Sequence, residues 1–308
     1  MDSALTSVAL PLALAVVMFG LGLALTPADF ARVRRDPRAA VVALALQLLV
    51  LPAACFGLVK LFDLDPVAAV GMMLLAASPG GTTANLFSHL FRGDVALNIT
   101  LTAVNSVVAA FSLPLVVGLA LEHFDPAGLD DGVGLQLGKV LQVFAIVLVP
   151  VALGMLVRHR SPQFADRMDR PVRTASVVVL AAVIVGTIVS ERDNVADYLG
   201  DLGPVAVVFC LLSLAVGYLG PRLLGVTHRQ AVAAGFEIGV HNGTLAIAVA
   251  ISVLDSVELA VPAAVYSVVM FPLAAVAGWV FSRVGAPPAP AGSTGGADGA
   301  ASTRAGRP

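Results

Sequence analysis

Polar residues in this chain fall into short clusters, and between them run nine apolar stretches, each long enough to cross a bilayer. They cover roughly residues 4–25, 38–60, 66–90, 94–120, 133–157, 171–190, 202–222, 229–253 and 257–281. Apolar and polar positions do not alternate within them, as they would in the strands of an outer-membrane barrel. Backbone groups in hydrocarbon must pair within their own segment, so the stretches predict helices. The expected fold is all-α, a polytopic membrane protein of nine transmembrane helices. The first stretch lacks a basic leader and a cleavage-like end, which predicts a retained helix rather than a signal peptide. Residues 284–308 are rich in Gly, Ala, Pro and Ser without an apolar pattern, and predict a disordered tail.

Composition agrees with the pattern. The chain is 58% hydrophobic and only 12% charged, where a soluble domain carries about 25% charged residues. Its mean hydropathy is +0.93. The net charge of -2, without a basic patch, excludes nucleic acid as a partner. Cys55 and Cys210 sit in apolar stretches at no metal or disulfide spacing, and are expected to pack as small hydrophobes. Of the 18 Lys and Arg, only Lys60, Lys139 and Arg192 fall in connections on one side; the rest fall on the other. Such a bias places the N-terminus outside and the C-terminus in the cytoplasm, in a prokaryotic plasma membrane.

Two spans carry interruptions. The third contains SPGGTTANLFSHL, where Pro79 withholds a donor and Gly80 and Gly81 loosen the backbone. The eighth contains FEIGVHNGTLA. Its Gly235, Gly239 and Gly243 form a small-residue face suited to close helix packing. That face leaves Glu237, His241, Asn242 and Thr244 without a reason to be there. Helices five apart in a serial bundle cross the membrane in opposite directions. Two interrupted helices in matching places predict an inverted-repeat secondary transporter with two discontinuous crossing helices.

Glu237 is the one acidic residue deep within a predicted span. A carboxylate there costs several kcal/mol unless it is paired, protonated or wet. No basic residue shares the interior of its span, so a cation is the simplest partner, and sodium suits hard oxygen ligands. Oxygen is available from Gln47, Thr82, Thr83, Asn85, Asn98, Thr100, Thr102, Asn105, Asn242 and Thr244. Asn98, Thr102 and Asn105 stand at i, i+4 and i+7, on one helix face. Any single Ser or Thr is more simply explained by a bond to its own helix, but the group on one face calls for partners across helices. The N-terminal ends created by the breaks favour an anionic substrate near the membrane centre. Thr82, Thr83, Asn105, Asn242 and Thr244 are the candidate substrate contacts. His241, one helical turn from Glu237, is either a proton-labile partner of the carboxylate or a neutral donor that orients a ligand. His89, at the end of the third span, reads as interfacial.

The same segments carry a family resemblance. VVMFGLGLALTPADF, ALQLLVLPAACF, SPGGTTANLFSHLFRGDVALNITLT and FEIGVHNGTLA stand in an order that resembles the bile acid:sodium symporter family, over roughly residues 10–282. The resemblance implies a core domain (about 38–120 and 202–281) and a facing panel domain (about 4–25 and 133–190), with the substrate in the cleft between them. It implies uptake of an organic anion, bile-acid-like or a small carboxylate or sulfonate, driven by one or two sodium ions. It also implies two ion sites. One would use the position of Ala84 with Asn85, Asn98, Thr102 and Glu237. The other would use Gln47, Glu237, His241 and the carbonyls of Ile238 and Val240. Ala84 stands where a serine is common, Asn98 stands for a serine, and His241 stands for a glutamine.

Three other functions compete. An enzyme would need paired carboxylates, an HExxH run or a nucleophile with its base, and none is evident in the sequence. A channel would need repeated polar rings, whereas the polar groups here converge on two helices of one chain. A proton-coupled carrier of the same fold would work through Glu237 and His241. The expected surroundings are membrane lipid and the organic anion, with no obligate protein partner.

Overall fold

The computed structural model describes residues 37–126, 137–168 and 195–284, with scattered positions within 15–34 and 171–178. The spans expected at 4–25 and 171–190, and the tail, lie largely outside the described residues. Nine elements carry the argument: α1 (Pro37–Leu61), α2 (Pro66–Ala77), α3 (Thr82–Leu90), α4 (Val95–Phe124), α5 (Leu137–Arg160), α6 (Val195–Leu223), α7 (His228–Gly239), α8 (Gly243–Ser252) and α9 (Val261–Val284). Among the described residues, four stretches are long and apolar enough to cross a membrane: Pro37–Leu61, Val95–Phe124, Gly200–Leu223 and Glu258–Val284. The observed helices overrun the expected ends by several residues in α4 and at the start of α6. Hydropathy marks where lipid stops, and the backbone ladder continues into the polar margin beyond it.

α1 is not uniform. Leu46–Val50 form a π turn, and the Leu51 N–H reaches back to the Leu46 carbonyl. Pro52 follows at once, and its ring cannot continue the regular ladder. The extra residue in the turn lies where Gln47 is buried in the protein, at 3% exposure.

The two interrupted spans are broken in the structure. α2 ends at Ala77, Ser78 is extended, and α3 begins after Gly81. α7 ends at Gly239, Val240 leaves the helical region, and α8 begins after Asn242. The unwound stretches cross and pair. Gly80 and His241 form an antiparallel bridge, the Gly81 N–H donates to the Val240 carbonyl at 3.0 Å, and the Asn242 N–H donates to the Pro79 carbonyl at 2.8 Å. Each break thus satisfies the other's backbone, the condition for unwound chain at membrane depth. Tight capping fixes where the helices restart. Asn242 Oδ1 accepts from the Leu245 N–H at 3.1 Å. Asp94 Oδ1 accepts from the Leu97 N–H at 3.0 Å, and the Asp94 N–H donates to the Arg229 carbonyl at 2.9 Å. That last bond ties the start of α4 to the start of α7.

The small-residue face of α7 lies on α6. A Cβ on Gly217 would stand 2.9 Å from Ile238 Cβ and 3.0 Å from the Ala234 carbonyl. A Cβ on Gly239 would meet the Leu214 side chain. Gly235 and Gly239 thus let α6 approach, whereas Gly243, expected on the same face, lies past the break against Ser267 and Ala263 of α9. Gly217→Ala should destabilise the protein by about 1–3 kcal/mol, because the opposing atoms are largely backbone and cannot yield. Gly57 in α1 has nothing within 4 Å of an added Cβ, so Gly57→Ala should be neutral or stabilising, by up to about 1 kcal/mol. Thermal unfolding of the purified variants checks the pair, and equal melting temperatures would contradict the packing.

Candidate ion site at the helix crossing

Glu237 sits in the last turn of α7, fully buried. Thr102 Oγ1 donates to Glu237 Oε2 at 2.6 Å, and Asn105 Nδ2 donates to Glu237 Oε1 at 3.1 Å. The backbone of Gly80, on the other broken span, packs directly against the carboxylate. A side chain at Gly80 is excluded, since a Cβ would fall within 2.5 Å of Glu237 Oε1 and of the Glu237 carbonyl. Here glycine serves close approach rather than an unusual backbone angle. The face of α4 read from the sequence is thus the face that meets Glu237.

The amides around the carboxylate are oriented by partners that can only accept. Asn98 Nδ2 donates to the Ala233 carbonyl at 2.7 Å, and Asn105 Nδ2 faces Glu237. Their oxygens are therefore the unspent ends. Asn85 Oδ1, Asn98 Oδ1 and Asn105 Oδ1 are all buried without a hydrogen-bond partner. An unsatisfied buried acceptor costs about 1–3 kcal/mol. The region holds a carboxylate, the spare oxygens of Asn98 and Asn105, and the C-terminal ends of α2 and α7 with their partial negative charge, and Asn85 adds a third spare oxygen in the first turn of α3. Such a set attracts a cation and suits a hard one. Among the described residues, no cluster of three His, Cys, Asp or Glu offers a transition-metal site.

A second polar centre lies across the break in the α2–α3 span. The Ser78 carbonyl accepts from Gln47 Nε2 at 3.1 Å and from His241 Nδ1 at 3.2 Å. His241 stacks on Phe209 at 5.5 Å and meets Tyr266 edge-on at 5.4 Å. Tyr266 Oη donates to the Gly239 carbonyl at 2.8 Å, closing the end of α7.

The sequence-derived residues divide accordingly. Asn98, Thr102, Asn105 and Glu237 come together, and Gln47 and His241 meet at Ser78. Asn105, expected to touch substrate, bonds to the Glu237 carboxylate. His241 does not follow Glu237 by one helical turn, because α7 ends between them; its ring bonds to Ser78, not to the carboxylate. Ala84 is buried and supplies no side-chain oxygen. Thr83 and Thr244 are half-buried, and Asn242 caps α8. The side chain of Thr82 lies outside the described residues. Ile238 and Val240 are buried, and the Val240 carbonyl already accepts the Gly81 N–H. Thr100 bonds back to the Ala96 carbonyl at 2.9 Å, the local contact expected of a lone threonine. Sequence reasoning missed Tyr266, Phe209 and the Ser78 carbonyl. A tyrosine in an apolar helix was the one available signal, since its hydroxyl needs a partner.

Residues 11–198 match the Sodium Bile acid symporter family. The chain is 27% identical over 276 residues to a probable sodium/metabolite cotransporter of Arabidopsis thaliana chloroplasts, covering 88% of this chain and 66% of that protein's length. It is 26% identical over 255 residues to a sodium-dependent transporter of Bacillus subtilis, YocS, covering 83% and 77%. It is 26% identical over 245 residues to the human ileal sodium/bile acid cotransporter, covering 79% and 69%.

Gly80→Ala tests the geometry around the carboxylate. A ligand at about 100 times its Kd stabilises a folded protein by about 2.7 kcal/mol, and sodium should raise the melting temperature of the wild-type protein relative to choline. Gly80→Ala should remove most of that increment. An undiminished sodium response would show that the close approach of Gly80 to Glu237 is dispensable.

Proposed function

The chain belongs to the sodium bile acid symporter family, and on that premise we propose that it is a sodium-coupled symporter importing an organic anion by alternating access. Members of this family are transporters, not enzymes. The observation that carries the proposal is the pair of buried, unpartnered oxygens of Asn98 and Asn105 on the face of α4 that meets the buried Glu237 carboxylate, with a further such oxygen on Asn85 just past the break. The amide nitrogens of Asn98 and Asn105 are turned to protein acceptors, which leaves their oxygens presented as ready ligands for a cation.

In this account Glu237, Asn98, Asn85 and Thr102 hold sodium at the crossing, and Asn105 bridges the ion site to the substrate. The Thr102 hydroxyl also lies 3.0 Å from the Asn98 carbonyl, which fixes it on the face turned to Glu237. Gln47 and His241 make up the second polar centre with the Ser78 carbonyl; the carbonyls of Ile238 and Val240 lie nearby in the chain, and that of Val240 already accepts the Gly81 N–H. The N-termini of α3 and α8 begin within the crossing, so their free N–H groups favour a carboxylate or sulfonate there. Thr82, Thr83, Asn242 and Thr244 stand at those ends and would contact the anion. Sodium ahead of the anion neutralises Glu237 and removes its repulsion, which is the physical basis of coupling. The spans holding α2–α3 and α7–α8 would be equivalent members of two inverted repeats. Transport would follow from rocking a core (about 38–120 and 202–281) against a panel (about 4–25 and 133–190). The chain would lie in a prokaryotic plasma membrane with its N-terminus outside.

Uptake into vesicles decides between couplings. Radiolabelled bile acids, small carboxylates and sulfonates are offered with sodium and proton gradients imposed separately. Sodium-driven accumulation of at least one anion is expected, and Glu237→Gln should abolish it while the protein still inserts. Full sodium-driven uptake in Glu237→Gln would remove the site from the mechanism. Uptake driven by protons alone would replace sodium as the coupling ion.

A further inference from the structure

The two polar centres at the crossing are built from opposite kinds of group. At Glu237 stand a carboxylate and the free oxygens of Asn98 and Asn105. At Ser78 one amide, Gln47, and one imidazole, His241, both turn N–H groups to a carbonyl. The Ser78 carbonyl has two lone pairs, and Gln47 Nε2 and His241 Nδ1 occupy both. A carbonyl cannot donate, so Gln47 must face it with its nitrogen and His241 Nδ1 must carry the proton. Tyr266 Oη supplies a third donor, to the Gly239 carbonyl. Three donors thus meet carbonyls at the broken ends of α2 and α7, where partial negative charge gathers. They do there what a cation would do elsewhere.

The arrangement resists rearrangement. His241 is 1% exposed, lies nearly parallel to Phe209 at 16° between ring planes, and has Tyr266 on its edge. Turning the ring would break its bond to Ser78 and its stack together. Gln47 Oε1 and His241 Nε2 remain without partners. They amount to one oxygen and one imidazole nitrogen, and imidazole suits transition metals rather than a hard cation that wants several oxygens.

We infer that the His241 side chain takes the place of a second cation in this chain, so that a single sodium ion, at Glu237, couples each transport cycle. This deepens the proposed function and rests on it. Equilibrium binding of ²²Na⁺ to the purified full-length chain tests it. Wild-type protein should bind about one sodium per chain, with a Hill coefficient of about 1, since that coefficient does not exceed the number of sites. His241→Gln, which restores an amide oxygen, should raise the count toward two, and Glu237→Gln should bring the wild-type count to none. Two sodium ions on the wild-type chain would overturn the inference, as would a folded His241→Gln protein that still binds one. Should His241→Gln fail to fold, the wild-type count and Hill coefficient alone decide. A wild-type chain that binds no sodium at all would instead remove the proposed function.

Discussion

Glu237 carries its carboxylate where water does not reach, and the groups against it come from two segments: Thr102 and Asn105 on α4, which bond to it, and Gly80 at the break between α2 and α3, which packs on it. A charge so placed is tolerable only where its surroundings answer it. Much of the core follows from that constraint. α4 must present one polar face to α7. The break at Pro79 must bring a bare glycine against the carboxylate. α6 must come close enough to seal the other side, which the glycines of both helices permit. A substitution that moves any of these three neighbours therefore acts on the same charge.

Breaking two membrane helices is costly unless the freed backbone finds partners. Here each break supplies them for the other, through the Gly81 to Val240 and Asn242 to Pro79 hydrogen bonds. The crossing also sorts the helix ends. Two C-terminal ends with partial negative charge and two N-terminal ends with partial positive charge meet within one small region. One region can thereby favour a cation and an anion as neighbours. That is the electrostatic requirement for moving the two together, and a continuous helix could not meet it.

The breaks were legible because they rest on local chemistry. Pro79, Gly80 and Gly81 interrupt a helix wherever they stand, and an acidic residue in an apolar run announces itself. The polar face of Asn98, Thr102 and Asn105 was legible from spacing alone. What lay beyond the sequence depends on partners across helices. The one-turn spacing of Glu237 and His241 suggested a pair, but it assumed a helix that ends at Gly239. Spacing puts Asn105 on the face of Asn98 and Thr102, but that its amide meets Glu237 depends on a partner across helices. The π turn that accompanies the burial of Gln47 follows from Pro52 only once the turn is seen. The ends of α4 and α6 were misplaced because hydropathy reports the lipid boundary, not the last hydrogen bond.

The central claim is that a cation completes the acceptor cluster around Glu237. A high-resolution density map of the protein in sodium, compared with one in choline, tests it most directly. The account requires a compact peak in sodium alone, bounded by the Glu237 carboxylate and the amide oxygens of Asn85, Asn98 and Asn105. Identical maps, with those oxygens turned toward protein donors, would contradict it.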